Sequence, residues 1–210
     1  MDYLDKSYLE KSISYQEYRT LGQELLDQGT TTNGDSRPEI LEYTNTNMYR
    51  MNRLDKTTKV NDKVKNALSD LPSDGKYYWV VMSESWCGDA AQIVPIMNKI
   101  AEEAGEKLDL RLLLRDENPD LIDAFLTNGG RAIPKLIFVK QENEKLKIID
   151  SWGARPAEAQ RLVIEYKEKV KQNPELEDFK AFAESLHGWY AKDKTQSTQN
   201  ELAELLKNTI

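Results

Sequence analysis

One cysteine and one histidine are all that this 210-residue chain holds of the two most versatile catalytic side chains. A single thiol rules out an intrachain disulfide and fits a reducing compartment. A single histidine, His187, removes most zinc sites and Ser-His catalytic pairs. It lies in ESLHGWY, beside Leu186 on an amphipathic helix, and reads as a structural or surface residue rather than a catalytic one. No apolar run is long enough to cross a bilayer, so no membrane partner is expected. The opening stretch MDYLDKSYLEKSISYQEYRT carries no apolar signal segment, and the expectation is a cytoplasmic protein. No basic run interrupts an acidic background of net charge −7, which argues against nucleic acid. Neither a metal nor a cofactor is expected.

What the chain does have is enough apolar sequence for a real core, 39% hydrophobic against 31% charged. Ser14-Tyr-Gln-Glu17 has the form of a capping box, and the helical pattern after it runs to Gln28 with Gly29 as its stop. Pro38 suits the first turn of the next helix, and residues 38 to 70 read as one or two helices. Their stripe of Leu41, Met48, Met51, Val60, Val64 and Leu68 is a docking face against a neighbouring element. LPSDGK is a turn signal.

From residue 77 the pattern changes. Tyr77 to Met82 is a continuous β-branched and aromatic run, as in a buried central strand. Ala91, Val94, Met97, Ile100, Ala101 and Ala104 recur at helical spacing and end near Gly105. LDLRLLLRD is a second strand, Pro119 to Asn128 a short helix, and KLIFVK with KLKIIDSW a hairpin around QENE. Gly129-Gly130 reads as a helix stop and turn rather than a phosphate loop, because no helix follows it. Pro156 opens a helix, a further helix carries Leu176 to Leu186, and the last starts at a box-like Thr198-Gln-Asn-Glu201. The expectation is an α/β fold with a four-stranded mixed sheet, helices on both faces and a right-handed βαβ first half. Residues 1–70 form an N-terminal helical extension, 71–172 the sheet domain, and 173–210 C-terminal helices on or beside it.

The lone cysteine stands at the strand-to-helix junction, in SWCGDAAQ. A thiol at a helix N-terminus meets unsatisfied backbone N–H groups and the positive end of the helix dipole, and both favour the reactive thiolate. The alternative is a buried structural cysteine, which packs as a small hydrophobe. Polar Ser85, Gly88 and Asp89 around Cys87 argue for exposure.

WCGDA at that junction, RAIPKLIF at the third strand and SWGARP after the fourth together resemble the thioredoxin family, over roughly residues 70 to 172. With the helical N-terminal arm, the wider context resembles a bacterial branch of that family. The resemblance implies a thioredoxin-like three-layer α/β/α fold and a redox role in disulfide exchange. Trp86 and Cys87 match the tryptophan and nucleophilic cysteine of the Trp-Cys-Gly-Pro-Cys motif. Pro134 matches the family's cis-proline, Ile133 would offer backbone groups to an extended substrate, and Gly153 matches a glycine lining the same groove.

Three positions depart from that pattern. Ala90 replaces the resolving cysteine. Asp89 replaces the proline between the cysteines; its carboxylate suits a helix first turn but disfavours a thiolate beside it. Val81 stands where thioredoxins carry a buried aspartate. Arg131 either lies near the thiol and lowers its pKa, or is a solvated loop residue, or pairs with Asp89. Trp152 either walls the groove or caps the core. The functional expectation is monothiol exchange through Cys87, with a protein disulfide or low-molecular-weight thiol as partner and an external thiol for resolution. The alternative is a non-catalytic binding module for a protein or peptide. A one-cysteine peroxidase and an iron–sulfur role fit less well, for lack of their accompanying motifs.

Overall fold

In the computed structural model, residues 1–73 and 75–208 are described, and Asp74 of the expected LPSDGK turn lies outside them. Strand β1 (Tyr3–Leu4) and helix α1 (Lys6–Glu10) lead to α2 (Tyr15–Asp27). The capping box at its start is complete, since Ser14 accepts from the Glu17 amide while the Glu17 carboxylate accepts from the Ser14 amide. Helices α3 (Pro38–Thr57) and α4 (Asp62–Asp70) follow. Then come β2 (Tyr77–Ser83), α5 (Gly88–Ala104), β3 (Leu108–Leu114) and a short α6 (Pro119–Asp123). Strands β4 (Lys135–Glu142) and β5 (Lys145–Gly153) form the hairpin, and α7 (Ala157–Gln172) follows Pro156. Helices α8 (Phe179–Asp193) and α9 (Gln196–Lys207) end the described chain.

The sheet order is β1-β5-β4-β2-β3, with β2 and β3 parallel and the other neighbours antiparallel. It has five strands rather than the expected four. The extra strand is the N-terminal Tyr3–Leu4, which pairs with Lys147 and Leu146. Two residues are too few to show a period of two, so nothing in the local pattern marks them. At the opposite edge, Ile13 bridges Leu112 of β3, with amide-to-carbonyl distances of 2.9 and 2.7 Å. The first thirteen residues therefore cover part of both sheet edges, where unpaired backbone groups otherwise invite another strand.

Every residue of β2 is buried, as its unbroken apolar run requires, and Trp79, Tyr77, Phe138 and Met82 fill the centre of the core. Helix α5 is buried on most of its circumference, from Asp89 through Met97 and at Ile100 and Ala101. Helix α3 packs along it. Of the expected stripe, Met48, Met51, Val64 and Leu68 are buried while Leu41 and Val60 are half-buried; Leu54, outside that stripe, is buried as well. Two boundaries differ from the pattern reading. Helix α6 stops at Asp123, and Thr127 and Gly130 then close a small bridge. Helix α9 begins at Gln196, so Thr198 is inside it, and Glu201 bonds elsewhere instead of closing a box.

Candidate active site around Cys87

Cys87 is the N-cap of α5, at φ −79° and ψ 119°. Its Sγ accepts from the Ala90 amide at 3.5 Å and its S–H donates to the Ile133 carbonyl at 3.4 Å. The Ile133–Pro134 peptide bond is cis. Gly153, at φ +119°, closes the same corner: a methyl group there would lie 2.3 Å from the Pro134 carbonyl oxygen. Only glycine satisfies both that backbone and that approach. Trp86 is half-buried, with the Arg115 guanidinium 4.9 Å from its ring centre and its carbonyl accepting from Asn47 at 3.0 Å. The Ile133 carbonyl thus meets the thiol, Pro134 follows it through the cis bond, Gly153 packs on Pro134, and Trp86 immediately precedes Cys87 in the chain.

The thiol itself is closed off rather than exposed. Cys87 is 9% exposed, and the polar neighbours that argued for solvent are buried too, Ser85 at 2% and Asp89 at 8%. Their polarity is met inside the protein. Thr32 lies over Ser85, its hydroxyl 3.4 Å from that of Ser85, and also donates to the buried Glu84 carboxylate, which accepts from the Asp116 amide at 3.0 Å. Burial raises the Glu84 pKa above the usual carboxylate range.

Asp89 is held by two partners. The Arg155 Nη2 lies 2.6 Å from its Oδ2, and the Tyr190 hydroxyl donates to its Oδ1 at 2.8 Å. The partner weighed for Asp89, Arg131, is instead turned outward in a two-pronged pair with Asp123 at 2.6 and 2.5 Å. The guanidinium near the thiol is therefore Arg155, whose place in SWGARP was visible but whose role was not. Trp152 is partly buried against the core, and its indole N–H donates to Glu201 of α9 at 2.8 Å. Val81 is fully buried within β2.

Two further residues, Tyr43 and Gln92, escaped the sequence reading, and His187, read there as structural or surface, joins them. Tyr43 of α3 and His187 of α8 meet above Gly88, their hydroxyl and Nε2 2.8 Å apart. The Gln92 side-chain amide donates to His187 Nδ1 at 3.1 Å, which leaves the proton of the neutral ring on Nε2, pointing at Tyr43. A methyl group at Gly88 would lie 2.1 Å from that hydroxyl and 3.0 Å from the imidazole. Burial, helped by the Arg50 charge, lowers the His187 pKa to about 4, so the ring is neutral at physiological pH.

For Cys87, the opposition between helix end and acidic neighbour is decided by burial. The thiol pKa is pushed up to about 12, chiefly by desolvation and then by the Asp89 charge. The Ala90 and Asp89 amides and the Arg155 charge pull the other way and are outweighed.

The family model described as "Thioredoxin" matches residues 34–169. The chain belongs to the thioredoxin family. That match takes in α3 and α4 as well as strands β2 to β5, and leaves out β1. Among curated proteins the chain is similar to the thioredoxins of Listeria monocytogenes and Listeria innocua, each 35% identical over 74 residues. The aligned stretch is 35% of this chain and 66% of each relative, just under two thirds of their length. Among solved structures, an HIV epitope-scaffold aligns with 93% of this chain and 98% of its own, at TM-score 0.52 and 14% identity. A protein of unknown function from Pseudomonas aeruginosa aligns with 94% of this chain and 99% of its own, at TM-score 0.54 and 13% identity. These two share the fold.

Among the described residues, no three His, Cys, Asp or Glu side chains gather as a metal site needs, and no helix is long and apolar enough to cross a membrane.

Proposed function

We propose that this member of the thioredoxin family carries out thiol–disulfide exchange through Cys87 alone, from a resting state in which the thiol is covered and protonated. The observation that carries the reading is the position of Cys87 Sγ. It lies on the first turn of α5, between the Ala90 amide and the Ile133 carbonyl beside Pro134. In the first step the Cys87 thiolate attacks one sulfur of a disulfide, forms a new S–S bond to it and expels the other sulfur as a thiolate. An external thiolate then attacks the mixed disulfide and releases Cys87. The net change is an exchange: one external thiol enters the released disulfide in place of the thiol expelled in the first step, and no second cysteine in the chain is needed. Trp86, Ile133 and Gly153 form the surface against which an extended substrate would lie, as β-augmentation at the Ile133 backbone. Asp89 opposes thiolate formation and Arg155 favours it.

The experiment is turnover of a small mixed disulfide with excess low-molecular-weight thiol, comparing the protein with Cys87→Ser. Activity that depends on Cys87 supports exchange, and equal rates for the two proteins reject it. One observation favours a second reading, a binding module without chemistry: the thiol is buried and its pKa is raised to about 12. That reading predicts partner capture unchanged in Cys87→Ser.

A further inference from the structure

Helix α8 is held to the molecule by few contacts, and the polar ones converge on the start of α5. Of its fifteen residues only Leu186 and Tyr190 are buried, against six of the twelve in α9. Phe179 at its start is 68% exposed, and Phe182 stacks on Tyr166 of α7, ring centres 4.1 Å apart. The remaining hold is specific. Tyr190 donates to Asp89 at 2.8 Å, Arg155 grips the other Asp89 oxygen at 2.6 Å, and His187 receives Gln92 at 3.1 Å. Asp89 is one of the three positions that depart from the thioredoxin pattern, and the proline expected there offers none of these bonds. The departure is paid for by two residues far along the chain, one after β5 and one on α8.

The geometry points to Asp89, Arg155 and Tyr190 as positioning residues that latch α8 over the first turn of α5 and so keep Cys87 covered. The inference rests on the reading that Cys87 is the reacting thiol, and it adds what governs access to it. With the latch closed, His187 and Tyr43 lie against Gly88, next to the thiol. With Tyr190 released from Asp89, α8 retains Leu186, Trp189 and the Phe182 stack as its apolar anchors and the His187 bonds to Tyr43 and Gln92. Sparse burial of this kind marks the elements of a fold that open first.

The test is alkylation of Cys87 by iodoacetamide in the full chain, followed by intact mass, with amide hydrogen exchange on the same samples. Tyr190→Phe keeps the ring and deletes the hydroxyl. Its alkylation is expected to be about tenfold faster, as for the loss of one hydrogen bond to a charged group, with faster amide exchange confined to α8. Arg155→Lys keeps a cation beside Asp89 and is expected to stay nearer the parent rate than Arg155→Gln. Gln199→Ala is the control for general loosening, because it removes bonds to the Lys59 carbonyl and the Asn61 amide at the α4–α9 contact. A Tyr190→Phe rate within about twofold of the parent, or an equal acceleration in Gln199→Ala, overturns the latch. Iodoacetamide needs no resolving thiol, so this outcome is separate from failure of the turnover assay.

Discussion

Replacing Asp89 by asparagine removes one negative charge beside the thiol while keeping the shape of the side chain. In the native protein that charge is the second cause, after burial, of a thiol pKa near 12. A neighbouring charge moves a pKa by about 1–3 units. The low end applies here, because Arg155 at 2.6 Å already offsets much of the carboxylate. After the substitution Arg155 stays near Cys87 without its counter-charge, and its pull on the thiol acts in the same direction. The thiol pKa should fall by about one unit, which gives about tenfold more thiolate at pH 8. The assay is the rate of Cys87 alkylation from pH 8 to 13, with Cys87→Ser as the blank. Asparagine also weakens the hold on α8 and so raises the rate at every pH. The midpoint of the profile, rather than the rate, reports the charge. A midpoint that stays put or rises refutes the electrostatic argument. A fall all the way to the ordinary thiol value refutes burial as the main cause.

Three other outcomes follow from named contacts. His187 is held neutral with its pKa lowered to about 4, so its contribution to stability is complete above its ordinary value of 6.5 and is lost as pH falls toward 4. The partly exposed ring makes that worth about 2 kcal/mol, and urea midpoints from pH 7 to 4 should drop less in His187→Gln than in the parent. Glu201→Ala removes the partner of both the Trp152 indole at 2.8 Å and the Ala157 amide at 2.7 Å. It should cost roughly 1–3 kcal/mol by denaturant titration, and an unchanged midpoint would mean the α7 cap is not used. Gly153→Ala places a methyl group 2.3 Å from the Pro134 carbonyl at φ +119° and should cost roughly 2–5 kcal/mol. Thermal melting as stable as the parent would show that this corner yields easily.

Most of the sheet was legible because its strands announce themselves locally. YYWVVMS and KLIFVK are apolar runs bounded by turns or glycines, and Pro38 and Pro156 mark helix starts in the positions proline favours. Strand Tyr3–Leu4 was not legible, since its existence depends on an edge offered by β5 more than a hundred residues later. In the candidate site, Cys87 was marked locally by its place at a strand-to-helix junction, whereas Pro134 and Gly153 were singled out by the resemblance to the thioredoxin family. What covers the thiol was not legible. Tyr43 meets His187 across 144 residues, and Tyr190 reaches Asp89 across 101. The polar string around Cys87 suggested a wet surface because its partners, Thr32, Arg155 and Tyr190, lie in other segments. A buried polar residue and an exposed one look alike in sequence until the partner is known.

The central claim, that Cys87 is an exchanging thiol kept protonated at rest, is tested most directly by intact mass after incubation with a small mixed disulfide at pH 8. The account predicts one slow adduct on Cys87, faster in Tyr190→Phe, that is lost completely when excess low-molecular-weight thiol is added. A chain that forms no adduct even in Tyr190→Phe, or forms one that thiol does not release, contradicts it.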